Sequence, residues 1–140
     1  MFNTTPEHLY IHWPFCHTRC LFCDFVAFQE HEQYQEEYHR VLCQEIEQFA
    51  QKYKNQNIHP VKTIFLGGGT PSLYPLPWLK ELFATIKKQF PLDPNPEITI
   101  ESNPTDITEE RLDAWRECGI NRLSIGIQCL DDAVLEKLNR

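Results

Sequence analysis

The sequence predicts an α/β fold in which four strand–helix units build a parallel sheet, of either the barrel or the doubly wound kind. Two patterns point there. Short runs rich in β-formers alternate four times with longer stretches whose apolar residues recur every three or four positions. Strands joined through a helix run parallel with right-handed crossovers, and an all-parallel sheet is expected to be covered on both faces. The 140 residues are 41 % hydrophobic, enough for a real core in one or at most two domains.

The first strand is Leu9-Tyr10-Ile11-His12-Trp13, stopped by Pro14. From about His31 to Tyr53, the apolar positions Tyr34, Tyr38, Leu42, Ile46, Phe49 and Tyr53 trace one face of an amphipathic helix. Lys62-Thr63-Ile64-Phe65-Leu66 is the second strand, ended by Gly67-Gly68-Gly69. A second helix carries Pro77 in its first turn and Leu79, Leu82, Phe83, Ile86 and Phe90 on one face. The proline-rich stretch Pro91 to Pro96 reads as a closing turn. Glu97-Ile98-Thr99-Ile100-Glu101 is the third strand.

The third helix is marked at both ends. Thr108 suits an N-cap, Ile107 can staple onto Leu112, and Gly119 follows the last turn. Arg122-Leu123-Ser124-Ile125-Gly126 is the fourth strand, and Asp131 or Asp132 opens a fourth helix with Val134, Leu135 and Leu138. No C-cap or tail follows Arg140, so the chain reads as the front of something longer.

The charge balance, 13 basic against 20 acidic residues for a net −7, argues against a nucleic-acid or anionic-lipid partner, which needs clustered Lys and Arg. No apolar run approaches the roughly 20 residues that cross a bilayer, and the start lacks the pattern of a secretory signal. A cytoplasmic location is the expectation. Six cysteines could form a disulfide framework, but the chain is long and core-rich and has no export signal. Three of them, Cys16, Cys20 and Cys23, are packed as C-x3-C-x2-C.

Each distinctive group of residues falls at or just past the carboxyl end of a strand, where parallel α/β sheets and barrels place their sites. The cysteine triplet follows the first strand. Three thiolates on one loop can hold three irons of a cubane cluster and leave the fourth iron free. Zinc is the competitor, with His12, His17 or Asp24 as fourth ligand. Gly67 to Ser72 follow the second strand; lacking a Gly-Lys-Ser/Thr ending, they are no P-loop, and they serve either a tight turn or close backbone approach to a ligand. Glu101 closes the third strand and Gln128 follows the fourth. Cys43, Cys118 and Cys129 read as bystanders.

Together these residues resemble the radical S-adenosylmethionine (SAM) superfamily, and within it the oxygen-independent coproporphyrinogen III oxidase family. The resemblance lies in Tyr10 to Cys16, Cys20 to Phe25, Gly67 to Ser72, Glu101 to Pro104, Gly119 to Gln128 and Leu138-Asn139-Arg140. It implies that Cys16, Cys20 and Cys23 bind a [4Fe-4S] cluster whose open iron is chelated by SAM. Tyr10 and Phe22 would flank the cluster and the SAM adenine. Gly68, Gly69, Thr70 and Glu101 would contact SAM, while Gln128 and Arg140 match positions that bind a second SAM-related ligand in decarboxylating members.

The implied fold is four βα units of a six-unit (β/α)6 partial barrel, truncated, with residues 1–140 forming the N-terminal part of the radical SAM core domain. Its fourth strand would present an unpaired edge. One departure divides the family. Decarboxylating members carry a fourth cysteine two residues after the third, where this chain has Phe25. The Cys-Asp-Phe ending and Glu-Ser-Asn-Pro resemble the haem-chaperone branch. That branch implies haem as a ligand, an electron-donor protein and a haem-accepting respiratory protein as partners. The oxidase branch implies a porphyrinogen substrate, and a zinc-stabilised interaction module is the alternative of another class.

Overall fold

The computed structural model describes residues 5–54 and 59–140. Four strands, β1 (His8–Trp13), β4 (Val61–Gly68), β5 (Leu92–Ser102) and β6 (Arg122–Ile125), form one parallel sheet in the order β1-β4-β5-β6. Helices α1 (Gln35–Lys52), α2 (Leu76–Gln89) and α3 (Glu109–Cys118) connect them, and the short α4 (Asp132–Lys137) follows β6. Between β1 and α1, two-residue strands β2 (Phe15–Cys16) and β3 (Phe28–Gln29) pair in parallel across the cysteine loop.

Side chains alternate across a strand, and here the alternation divides the sheet sharply. Ile11 and Trp13 of β1, Ile64 and Leu66 of β4, and Ile98 and Ile100 of β5 form one core with Leu42 and Ile46 of α1, Leu79, Leu82, Phe83 and Ile86 of α2, and Trp115 of α3. The register aligns Tyr10 with Phe65, Phe65 with Thr99, and Thr99 with Arg122 on the opposite face. His12, Glu101 and Ser124 share that polar face, and Tyr10 is 57 % exposed on it. The expectation that both faces are covered is therefore not met among the described residues. Helices shield one face, and the other is open and polar.

The end signals of α3 act as expected. Thr108 Oγ1 accepts from the Arg111 N–H at 3.2 Å, and Gly119 stands at φ 95°. For α4 the cap is Asp131 and not Asp132, its carboxylate accepting from the Val134 N–H. The proline-rich stretch is a correction: it is not a turn but the start of β5. Val61 pairs with Leu92 and Thr63 with Glu97, so two steps on β4 face five on β5. The excursion takes Pro94 and Pro96, which have no N–H to give, out of the ladder while the backbone stays extended. Along α1, Tyr34 lies exposed in a preceding 3-10 turn, and His39 occupies a buried position that periodicity does not flag.

Tyr38 of α1 donates its hydroxyl hydrogen to the His12 carbonyl at 2.7 Å. Burial, with the Glu45 charge adding to it, pushes this phenol up to about 12. An unfolded tyrosine ionises near 10, so the folded chain holds the proton more tightly. The stabilisation is complete below pH 10 and is lost as pH rises toward 12. Urea midpoints should fall over that interval, and Tyr38→Phe should make the fall shallower. The remaining slope belongs to the other groups whose proton the fold holds more tightly, Tyr74 and Tyr10 among them, both phenols pushed up by burial. An unchanged slope in the variant would contradict this assignment.

Candidate functional site

At the carboxyl edge of the sheet the loops after β1, β4, β5 and β6 surround one cavity of about 1090 Å³. Its walls hold Cys16, Cys20 and Cys23, Phe22, Gly68 to Thr70, Glu101, Gln128 and Arg140. Residues far apart in sequence thus meet because each strand ends at the same level.

The glycines at the end of β4 are there for space. A Cβ on Gly69 would stand 2.9 Å from Cys16 Sγ and 2.9 Å from the Phe15 carbonyl oxygen. One on Gly68 would meet the His12 ring and the Trp13 oxygen at 2.8 Å, and its φ of +121° excludes other residues independently. The main chain is stitched here by Gly69 N–H to the Trp13 oxygen (2.8 Å) and Thr70 N–H to the Phe15 oxygen (3.0 Å). The tight approach of the glycine run to the cysteine strand is a built feature, not a turn alone.

Two side-chain contacts join the predicted groups. Gly68 donates its N–H to Glu101 Oε2 at 3.1 Å, linking β4 to the end of β5. Thr70 donates its hydroxyl to Cys16 Sγ at 3.3 Å. Burial pushes the Cys16 thiol up, the Thr70 hydrogen bond opposing it; the Cys23 and Cys20 charges raise it further and Arg140 lowers it. Cys16, Cys20 and Cys23 are free thiols, each half-buried at the cavity. Among the described residues no three His, Cys, Asp or Glu side chains converge closely enough to hold a metal ion.

The donor set nevertheless fits an iron–sulfur cluster. Three soft thiols on one loop ring a roomy cavity, and the Gly69 face opposite Cys16 is kept clear of a β-carbon. His12 is not free to be a fourth zinc ligand. Its Nε2 lies 2.9 Å from the Val26 carbonyl oxygen and its Nδ1 3.0 Å from the Tyr10 hydroxyl. A carbonyl only accepts, so Nε2 carries the proton, and in the neutral ring the Tyr10 hydroxyl donates to Nδ1.

Of the residues that the resemblance assigns to the cluster, SAM and the second ligand, Tyr10 alone is not in the cavity wall. It lies deeper on the open sheet face, stacked on Phe65 with centroids 6.1 Å apart, and burial followed by the Glu101 charge raises its phenol. Phe22 is in the wall and half-exposed. Gln128 adopts φ 58° just past β6. Arg140 is already engaged: one guanidinium nitrogen donates to Asn103 Oδ1, the other to the Gly126 oxygen at 2.9 Å.

Sequence reasoning misses Asn103 and Gly126, whose Cβ would stand 2.7 Å from that guanidinium. It also misses the network in which Asp106 accepts from Ser72 Oγ (2.6 Å) and Asn103 Nδ2 (3.3 Å) while Arg111 donates to the Ser72 oxygen. Nothing local in the sequence marks these partners; only the topology brings them together. Cys129 also reaches the wall, its sulfur accepting from the Asp131 N–H.

Residues 10–140 match the Radical SAM superfamily. The chain is 38 % identical to the protein named heme chaperone HemW of Buchnera aphidicola subsp. Schizaphis graminum, over 100 % of this chain and 37 % of that protein. It is 37 % identical to anaerobilin synthase of Escherichia coli O157:H7, over 94 % of this chain and 29 % of the other. Among solved structures, coproporphyrinogen III oxidase (HemN) from Escherichia coli, described as a radical SAM enzyme, superposes with a TM-score of 0.88 at 32 % identity, covering 99 % of this chain and 32 % of that one. The chain therefore spans about a third of the length of these relatives, and its parallel α/β sheet matches the radical SAM partial barrel. No helix of the described residues is long and apolar enough to cross a membrane.

Proposed function

The chain belongs to the radical SAM superfamily, and on that premise we propose that it binds a [4Fe-4S] cluster through Cys16, Cys20 and Cys23, with SAM beside it, in a haem-chaperone-like protein. The observation that carries this reading is the meeting of the cysteine loop with the glycine run: Thr70 on Cys16, and Gly69 cleared against the same sulfur. A cluster of this class, when bound, supplies one-electron reduction of the SAM sulfonium.

The chain's own residues do the rest. Gly68, Gly69 and Thr70 let main chain approach SAM where a side chain would block it, and Glu101 holds that strand end in place through Gly68. Phe22, Gln128 and Arg140 line the cavity with the cysteines, and Tyr10 packs beside Gly67 and Glu101 on the open sheet face. Haem as cargo is favoured over decarboxylation by Phe25, which stands where decarboxylating members carry a fourth cysteine. The electron donor and the haem acceptor, a respiratory protein, are partners this reading requires.

Anaerobic reconstitution with iron and sulfide should give about four irons per chain, with an electron paramagnetic resonance signal that changes on adding SAM. Cys16→Ala should lose the colour and keep its circular dichroism. Zinc uptake with no iron or sulfide, and unfolding of Cys16→Ala on loss of metal, would establish a zinc-stabilised module in its place. The intact protein converting coproporphyrinogen III would move it to the oxidase branch; tight haem binding without conversion supports the chaperone.

A further inference from the structure

The cysteine loop has few ties of its own. Cys23 N–H reaches the Cys20 oxygen (3.2 Å) and Arg19 N–H reaches Gln29 Oε1 (3.2 Å). Two further contacts come from the far end of the chain. Leu21 N–H donates to the Leu138 oxygen at 3.2 Å, and Asn139 Nδ2 donates to the Arg19 oxygen at 2.9 Å. These fall on the residues immediately before and after Cys20. The next residue, Arg140, holds Asn103 after β5 and Gly126 after β6. Asn139 stands at φ 57°, a left-handed conformation that Asn tolerates better than most residues.

We propose that Leu138-Asn139-Arg140 is a strap that fixes Cys20 relative to the ends of β5 and β6, with Asn139 as its positioning residue. The proposal rests on the reading of Cys20 as a cluster ligand. The segment grips the backbone on both sides of one cysteine and the strand ends with the neighbouring guanidinium. Displacing it therefore frees Cys20 specifically, while Cys16 stays pinned in β2 and under Thr70.

The test uses the full chain. Asn139→Asp keeps the shape and tolerance for positive φ but turns the donor into a carboxylate facing a carbonyl; Asn139→Gly keeps the φ and removes the side chain. In the metal-free protein, trypsin should cut the Arg19–Cys20 bond about fivefold faster in both variants, the loss of one hydrogen bond, with cutting after Lys88 unchanged as the internal reference. In the reconstituted protein, both should release iron to a chelator about tenfold faster, as when an outer-shell contact to a metal ligand is removed. Equal cleavage at Arg19–Cys20 in wild type and variants overturns the strap. Faster cleavage with unchanged iron release overturns its role at Cys20. Failure of the wild type to take up iron and sulfide strikes the cluster reading and the role at Cys20, while the cleavage comparison still decides whether the strap exists.

Discussion

Gly68→Ala is expected to destabilise the fold by about 2–6 kcal/mol, enough to leave much of the chain unfolded at room temperature. Two independent penalties add. The backbone at φ +121° is one that an alanine adopts only under strain, about 1–3 kcal/mol. The new methyl would stand 2.8 Å from the Trp13 oxygen and from the His12 ring. The oxygen ends the β1–β4 ladder, where the Gly69 N–H holds it at 2.8 Å, so overpacking adds roughly another 1–3 kcal/mol. The same change draws the Gly68 N–H away from Glu101, so under the proposed function any folded remainder should also bind SAM more weakly. Urea unfolding followed by circular dichroism measures the first effect. A midpoint within error of wild type would show that the strand end relaxes freely, and would remove the basis for reading the glycine run as a rigid cradle.

Trp13→Ala is the second large effect, expected at about 3–5 kcal/mol. Trp13 is fully buried, with its ring centroid 3.9 Å from that of Tyr74 and 4.7 Å from that of Phe15. Removing it empties the junction between β1, α1 and the turn after β4. Its indole N–H is buried with no partner among the described residues, and such a group costs about 1–3 kcal/mol. Trp13→Phe loses some packing but also removes that unpaired donor. It should therefore stay within about 1 kcal/mol of wild type. A large loss in the phenylalanine variant would mean the N–H has a partner after all.

Much of the architecture is legible in the chain because its signals are local. Thr108 and Gly119 mark α3 through backbone groups within a few residues, and the apolar spacing of Leu79, Leu82, Phe83 and Ile86 is that of one helix face. The site's location follows from the shared level of four strand ends. The open sheet face is also written in the sequence: Glu97-Ile98-Thr99-Ile100-Glu101 alternates strictly, as a strand with one wet face does. The general rule for parallel sheets, two covered faces, points the other way and is overridden by this pattern.

Pro94 and Pro96 mislead because proline usually punctuates, whereas a ladder that skips the four residues between Leu92 and Glu97 can keep it extended. Arg140 with Asn103, and Asn139 with Arg19, lie 37 and 120 residues apart. No periodicity reports such pairs, since they exist only after the sheet has assembled. Strands β2 and β3 have two residues each, too few to leave a pattern.

The two borders of the sheet are finished differently. In β1 the odd-numbered carbonyls turn toward β4, so the His12 oxygen points outward, where the Tyr38 hydroxyl occupies it, and Phe28 N–H takes the Pro14 oxygen just beyond. No strand among the described residues pairs with the far side of β6. An unpaired strand edge is a template for further pairing. Among the described residues the outer side of β6 offers its backbone groups to one more strand, whereas at the β1 border the His12 carbonyl is already taken by the Tyr38 hydroxyl.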